Sequence, residues 1–464
     1  MPVTRSLRLA PLSLCAACFC ISSCQTITQR PTSNVEIDVP LAFASASSKQ
    51  NQQIAFGWLK EFNDPQLSSL VHRSLANNPD LKVTAANFRR AKEDLIIARA
   101  ARLPTLSGNS RGSLSRSDGE TSDSYGLSVS TSWEPDLWGR LRDLEKASFA
   151  DYQAAVADFR AAQLSLAANT AQAYCNLITA EQQLTLAEQT LTSFQKNFNI
   201  IERGYKAGTL RALDVNFGRN NVASAERSVR SRRLARNNAA RTLQLLLGNY
   251  PDASINAATR LPNLKKNVRA GLPASLLERR PDLAAARARI FASAKSADAS
   301  RKSLLPNLRL TGSSGTSSTQ LRNLLDPATL VSSLTASLTQ SFFTGGELSS
   351  RARRSLLSNP QAIDRYLSDA LQAFREVESA LDADQSLAEQ ESFLKKEVRQ
   401  ATLAEQQAER DLIEGLDTRA GSQILEVLEA QRRALNARSN LINLRNQRIQ
   451  NRLDLYLALG GSFE

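Results

Sequence analysis

Hydrophobic residues recur at every seventh position between Arg140 and Tyr205. One row reads Tyr152, Phe159, Leu166, Ala173, Ala180, Ala187, Phe194 and Ile201; a second reads Leu177, Leu184, Leu191, Phe198 and Tyr205. Two such rows form a seam that needs a partner helix at a shallow angle. No proline interrupts the stretch and its first glycine is Gly204. The pattern therefore predicts a single helix about 100 Å long. Leu428, Leu435, Ile442, Ile449 and Tyr456 predict the core row of a last helix. Leu81–Leu103 and Ala212–Leu247 read as shorter helices, about 35 and 55 Å long.

Elsewhere the period is two. In Leu330–Phe343, Leu330, Leu334, Ala336, Leu338 and Phe342 fall on one side, and Ser333, Thr335, Ser337, Thr339 and Ser341 on the other. An earlier stretch does the same more weakly with Tyr125, Leu127, Val129 and Trp133. One apolar and one hydroxyl face suits a membrane barrel strand, and equally a half-buried strand of a soluble sandwich. Four strands cannot close a barrel, and an open edge in lipid leaves backbone groups unsatisfied. Two chains would supply eight strands, and three would supply twelve with room for an aqueous bore.

The chain also repeats itself once. Asn78-Pro79-Asp80-Leu81 returns as Arg280-Pro281-Asp282-Leu283, and Leu103-Pro104 as Leu305-Pro306. Glu202-Arg203 before Gly208 returns as Glu409-Arg410 before Gly415, and Leu247-Gly248 as Leu459-Gly460. Each half reads helix, two strands, very long helix, turn, shorter helix. The expected fold is mainly α with a small β-barrel contribution.

Composition narrows the class. The chain has 464 residues, 6% aromatic, and no apolar run long enough for a transmembrane helix, so a membrane crossing would need strands. Arg5 and Arg8 precede an apolar run, Leu9–Ile21, of secretory-signal length. It ends in Ile21-Ser22-Ser23-Cys24, which resembles a bacterial lipobox; an ordinary signal that happens to end near a cysteine is the alternative. Cys15, Cys18 and Cys20 would leave with the signal, and Cys175 would be the one free thiol. The lipobox resemblance implies a covalent lipid on Cys24 and no other cofactor, and Gln25 after the cysteine fits forwarding to the outer membrane.

The layout that follows is a lipoprotein signal at 1–23 and a lipid-anchored linker at 24–57. A first repeat occupies 58–248, with a β-hairpin at about 105–133 and the long helix at about 140–205. An equatorial linker, 249–274, leads to a second repeat, 275–464, with a hairpin at about 307–343 and a long helix at about 347–413. Asn359-Pro360 falls inside that helix, where proline removes a backbone hydrogen bond and should produce a kink.

Net charge is +13, or +11 once Arg5 and Arg8 leave. The stretch Arg219, Arg227, Arg230, Arg232, Arg233, Arg236 and Arg241 lacks the interleaved aromatics of a nucleic-acid reader and reads as a solvated helix face. No nucleic-acid partner is expected. The single histidine, His72, stands apart from any nucleophile or metal-spaced cluster, and no phosphate-binding glycine loop occurs, so no enzyme is expected.

Several strings carry a family resemblance. They are Trp58 with Phe62-Asn63-Asp64-Pro65-Gln66-Leu67, Trp133-Glu134-Pro135-Asp136-Leu137-Trp138-Gly139-Arg140, and Leu277-Glu278-Arg279-Arg280-Pro281-Asp282-Leu283. Ala373-Phe374-Arg375-Glu376-Val377-Glu378-Ser379-Ala380-Leu381 and Leu455-Tyr456-Leu457-Ala458-Leu459-Gly460-Gly461 complete the set. In this order they resemble the lipoprotein (NodT-type) branch of the TolC-like outer membrane factors.

The resemblance implies a homotrimer with a twelve-stranded outer-membrane barrel over a periplasmic α-barrel. It implies the exit duct of a tripartite pump that exports small molecules, docked to a periplasmic adaptor (membrane fusion) protein and an inner-membrane transporter of the resistance-nodulation-division (RND) type. A type I secretion duct for polypeptides, or a coiled-coil lipoprotein without a conduit, remains an alternative. By the same resemblance Leu416, Asp417, Glu426 and Glu429 are candidates for the periplasmic gate, and Gly208, Thr209, Leu210 and Gly415 for the tip turns an adaptor grips. The second turn is longer than the first, so Gly421 competes with Gly415 for the family position and puts Asp417 and Leu416 in doubt.

Overall fold

The computed structural model describes residues 39–40, 42–45, 57–264, 271–414 and 420–462, with backbone alone at 413–414 and 420–423. The described helices are α1 (Trp58–Glu61), α2 (Pro65–Asn77), α3 (Pro79–Ala100), α4 (Arg140–Lys206), α5 (Ala212–Leu246), α6 (Pro273–Arg279), α7 (Pro281–Lys302), α8 (Glu347–Glu414) and α9 (Ala420–Ala458). The strands are β1 (Thr105–Ser117), β2 (Glu120–Trp133), β3 (Asn307–Ser318) and β4 (Leu330–Thr339). Contacts divide the chain into two units.

The first unit comprises, in its described parts, Asn87–Val156 and Ala285–Ser368. Its four strands form one antiparallel sheet in the order β1-β2-β3-β4. Asp118 and Gly119 join β1 to β2 with φ of 51° and 86°, the paired positive values of a tight turn whose twist matches the strands. Registers such as Leu308↔Leu338, Leu310↔Ala336 and Leu106↔Thr131 place the apolar side chains of all four strands, Val331 excepted, on one face. Asn109, Ser128, Ser313 and Ser333 line the other, where Ser313 and Ser333 share a hydrogen bond of 2.8 Å. Every residue of β1 and β4 is exposed, because each pairs along one side only.

The string after β2 builds the start of α4. The Asp136 carboxylate accepts from Leu141 N at 3.0 Å and Arg142 N at 2.8 Å, satisfying two N–H groups that have no partner within the helix. Trp133 Nε1 donates to Arg102 O at 3.0 Å and Trp138 Nε1 to Pro306 O at 2.7 Å, so both indoles lock the strand ends to neighbouring chain. In α8 the helix runs unbroken through Pro360. Asn359 Nδ2 there donates to Ile290 O and Ser293 Oγ, each at 3.1 Å, tying α8 to α7.

The second unit holds Asp38–Ala86, Ala157–Ala284 and Asp369–Glu464. Within it the long helices lie side by side in the order α5-α4-α9-α8. Arg236 bonds Glu181 at 2.8 Å between α5 and α4, Gln183 bonds Ser439 O at 2.9 Å between α4 and α9, and Arg452 bonds Asp384 at 2.8 Å between α9 and α8. On α4, Leu166, Ala173, Leu177, Leu184, Ala187 and Ile201 are buried, while Tyr205 ends its row exposed. The core row of α9 is displaced from the expected one. Ile449 and Tyr456 are buried, but Leu428, Leu435 and Ile442 are half-buried, and Ile424, Val427, Gln431, Ala434 and Ala437 lie deeper. A helix with neighbours on two sides buries two strips rather than one seam.

Trp58 stacks on Tyr456 with centroids 6.0 Å apart, and Phe62 meets both edge-on. Phe43 is buried, and the next two backbone N–H groups, Ala44 and Ser45, donate to Glu378 of α8 at 2.7 and 2.9 Å.

Candidate functional site at the helix turns

The turn from α4 to α5 is built from Gly208, Thr209 and Leu210. Gly208 adopts φ 77°, and Thr209 N donates back to Gly204 O at 2.9 Å, closing the end of α4 with a left-handed cap. Thr209 Oγ1 accompanies it, donating to the same carbonyl at 3.0 Å. Gly208 and Thr209 are exposed; Leu210 is not. Leu210 turns into a cluster with Ile201, Val215, Leu412, Ile424 and Val427, so it holds the turn from inside. A Cβ at Gly204 would stand 2.8 Å from Leu210 Cδ1, and one at Gly218 would stand 2.9 Å from Phe198, which lets α4 and α5 approach closely. Asp214, almost fully buried, accepts from Arg211 N at 3.0 Å and fixes the start of α5.

Helices α8 and α9 flank residues 415–419. Gly415, Leu416 and Asp417 lie outside the described residues, as does Cys24. Glu426 and Glu429 are on the first turns of α9, Glu426 exposed and Glu429 half-exposed. Glu429 accepts from Arg433 Nε at 2.7 Å and from Arg432 Nε and Nη2 at 2.8 Å. Arg433 first, and Arg432 next, hold its carboxyl below the ordinary carboxylate range. Its charge is thus locally compensated.

Three polar residues that sequence reasoning missed sit one turn deeper. Gln431 of α9 is buried and donates to Glu409 of α8 at 2.9 Å and Ser193 of α4 at 3.2 Å. Glu405 is half-buried beside Glu409; burial pushes its carboxyl up, Arg438 at 2.6 Å opposes this, and Glu409 adds repulsion. The signal available was Gln431 itself, a polar residue at helical spacing among Ile424, Val427, Ala434 and Ala437.

The expected basic face of α5 is only partly solvated. Arg236 is largely buried, giving hydrogen bonds to Glu181, Ala253 O and Ile255 O, and Arg233 reaches Glu188 at 2.9 Å. Arg219, Arg227, Arg230 and Arg241 are exposed.

Comparison with known proteins matches residues 70–249 and 272–461 to the outer membrane efflux protein family. The chain is similar to the solvent efflux pump outer membrane protein SrpC of Pseudomonas putida, 30% identical over 94% of each chain. It is also similar to the cation efflux system protein CusC of Escherichia coli, 28% identical over 88% of each. Among solved structures it resembles the open state of the Neisseria gonorrhoeae MtrE outer membrane channel, with a TM-score of 0.82 and 28% identity over 94% of this chain and 99% of that one. These matches take in both repeats and the exposed-edged sheet together, and on them the chain belongs to the outer membrane efflux protein family and is an outer-membrane efflux channel.

Proposed function

We propose that the chain works as a homotrimer, anchored by lipid at Cys24, and forms the exit duct for small-molecule cargo delivered by an RND-type inner-membrane transporter through a periplasmic adaptor. The observation that carries the trimer is the pair of open edges, β1 and β4, fully exposed along their length. A sheet with one lipid-compatible face and one hydroxyl face needs those edges paired in a bilayer, and twelve strands give a bore where eight would be plugged by side chains.

A second pair of edges supports the same reading. In the helical unit α5 and α8 are the flanks. Arg219, Arg227, Arg230 and Arg241 dominate the exposed side of α5, against Glu226. On α8 the exposed charges of this unit are balanced, Asp369, Asp382, Glu389, Glu397 and Asp411 against Arg375, Lys395, Lys396, Arg399 and Arg410. Exposed Leu234 and Leu245 accompany the first set, and Phe393 and Leu403 the second. Two unlike edges, one basic and one of mixed charge, suit a head-to-tail ring in which α5 of one copy meets α8 of the next.

At the periplasmic end, Glu426 and Glu429 with Asp417 and Leu416 are the proposed gate. Gly208, Thr209 and Gly415 are the proposed adaptor contacts, with Leu210 supporting the first turn from within. Planar-bilayer recording of the purified chain tests the duct. Stepwise ion current from trimers is expected, rising when Glu426 and Glu429 are both changed to Gln. Trimers silent in both forms would contradict it.

A further inference from the structure

A groove of the helical unit takes no part in the proposed gate or the turns. It has a volume of about 830 Å³ and runs between α4, α9 and the segment 259–264, with Glu391 and Lys395 of α8 at one side. Its floor is apolar, made by Leu186, Leu441, Ile442 and Ile449, and Leu261 and Pro262 wall it. Its charge is predominantly basic, although Glu181, paired with Arg236, also lines it and Arg438 is paired with Glu405. Glu391, 6% exposed, is the acceptor for Lys395 Nζ at 2.8 Å, for Arg445 Nε at 3.2 Å and for Arg448 Nη1 at close range. Three cations thus share one carboxylate, and Arg260 and Arg438 add to them along the same groove. Each guanidinium has five N–H donors, and Glu391 can take only a few of the total. Arg448 Nε is buried and meets no acceptor among the described residues.

Helix α9 contributes lining residues from Arg438 to Ile449, a rise of roughly 16 Å. That length suits about five residues of extended chain. The groove is open along its side rather than closed around a small molecule. Chain segments outside the described residues do not supply the missing charge close by: residues 46–56 hold no carboxylate, and 265–270, directly after the wall, hold Lys265, Lys266 and Arg269 and no carboxylate. We propose that this groove is a docking site for an extended acidic peptide segment of a partner protein, its carboxylates on Arg260, Lys395 and Arg445 and its alternate apolar side chains on the leucine–isoleucine floor.

The test uses the full-length, detergent-solubilised protein and a fluorescein-labelled peptide of alternating Leu and Glu, followed by anisotropy. Saturable binding is expected, weakened about tenfold between low salt and 0.5 M salt, since exposed charges are screened. It is expected to weaken at least tenfold with Arg260→Glu combined with Lys395→Gln, while ion current stays as in the parent. Arg260→Glu alone alters an exposed side chain and is expected to give part of the loss. Equal binding by a Leu-Gln peptide, or by the double variant, would overturn the proposal. So would a gain of binding with Glu36→Gln and Asp38→Gln, which would show that the chain's own Val35-Glu36-Ile37-Asp38 occupies the groove.

Discussion

Gly460 lies so close to Arg280 that a Cβ on it would stand 3.1 Å from the Arg280 backbone, and its φ of 64° is in the left-handed region. Two strings far apart in sequence, Arg279-Arg280-Pro281-Asp282 and Leu459-Gly460-Gly461, are thereby one structural corner. Arg280 completes it, donating to Asp282 and Glu376 at 2.7 Å each and to Ala458 O at 3.2 Å.

Gly460→Ala must therefore shift backbone and adopt a strained φ together. A destabilisation of about 1–3 kcal/mol is expected, read as a lower thermal midpoint. An unchanged midpoint would show that the corner yields freely.

Acid should weaken the helical unit through Glu391. Burial raises its carboxyl, but Lys395, Arg448 and Arg445 together outweigh this and bring it down to about 2. A carboxyl lowered on folding contributes stability that is fully present above its ordinary value near 4.5 and is lost as pH falls toward 2. The thermal midpoint of the parent should fall across that window more steeply than that of Glu391→Gln. Parallel curves would show that the ion cluster contributes nothing to stability.

How much of this was legible in the sequence depends on the distance over which each feature is encoded. The heptad rows of Leu177 and Leu184 and the alternation of Leu334 and Leu338 are local periods, and helix and strand follow from them directly. The depth of α9 was not legible, because Leu435 and Ala434 differ only in which neighbour each faces, and two flanking helices decide that. Leu210, grouped with an exposed turn by resemblance, is buried because α9 brings Ile424 and Val427 beneath it. The partners of Glu429 stand three and four residues on, within the ordinary reach of a helix, and were open to reading. The cluster at Glu391 was not, since it joins α8 to arginines more than fifty residues away.

Those partners change what the proposed gate carboxylates would do. With Arg432 and Arg433 bound, Glu429 presents little net negative charge. Changing both arginines to Gln should strengthen block of channel current by multivalent cations about tenfold, and adding Glu429→Gln should reverse the gain. Block that ignores all three residues would place them away from the ion path.

The proposed lipid anchor has a separate readout. Cys24→Ser should abolish fatty-acid labelling and lower export, with the assembled protein still resistant to heat. Labelling that persists in this variant would contradict acylation at Cys24.

The closed trimeric duct is tested most directly by counting chains in the membrane-extracted particle by native mass spectrometry. Three chains per particle are expected. A particle of one or two chains from the parent, conducting ions all the same, would contradict it.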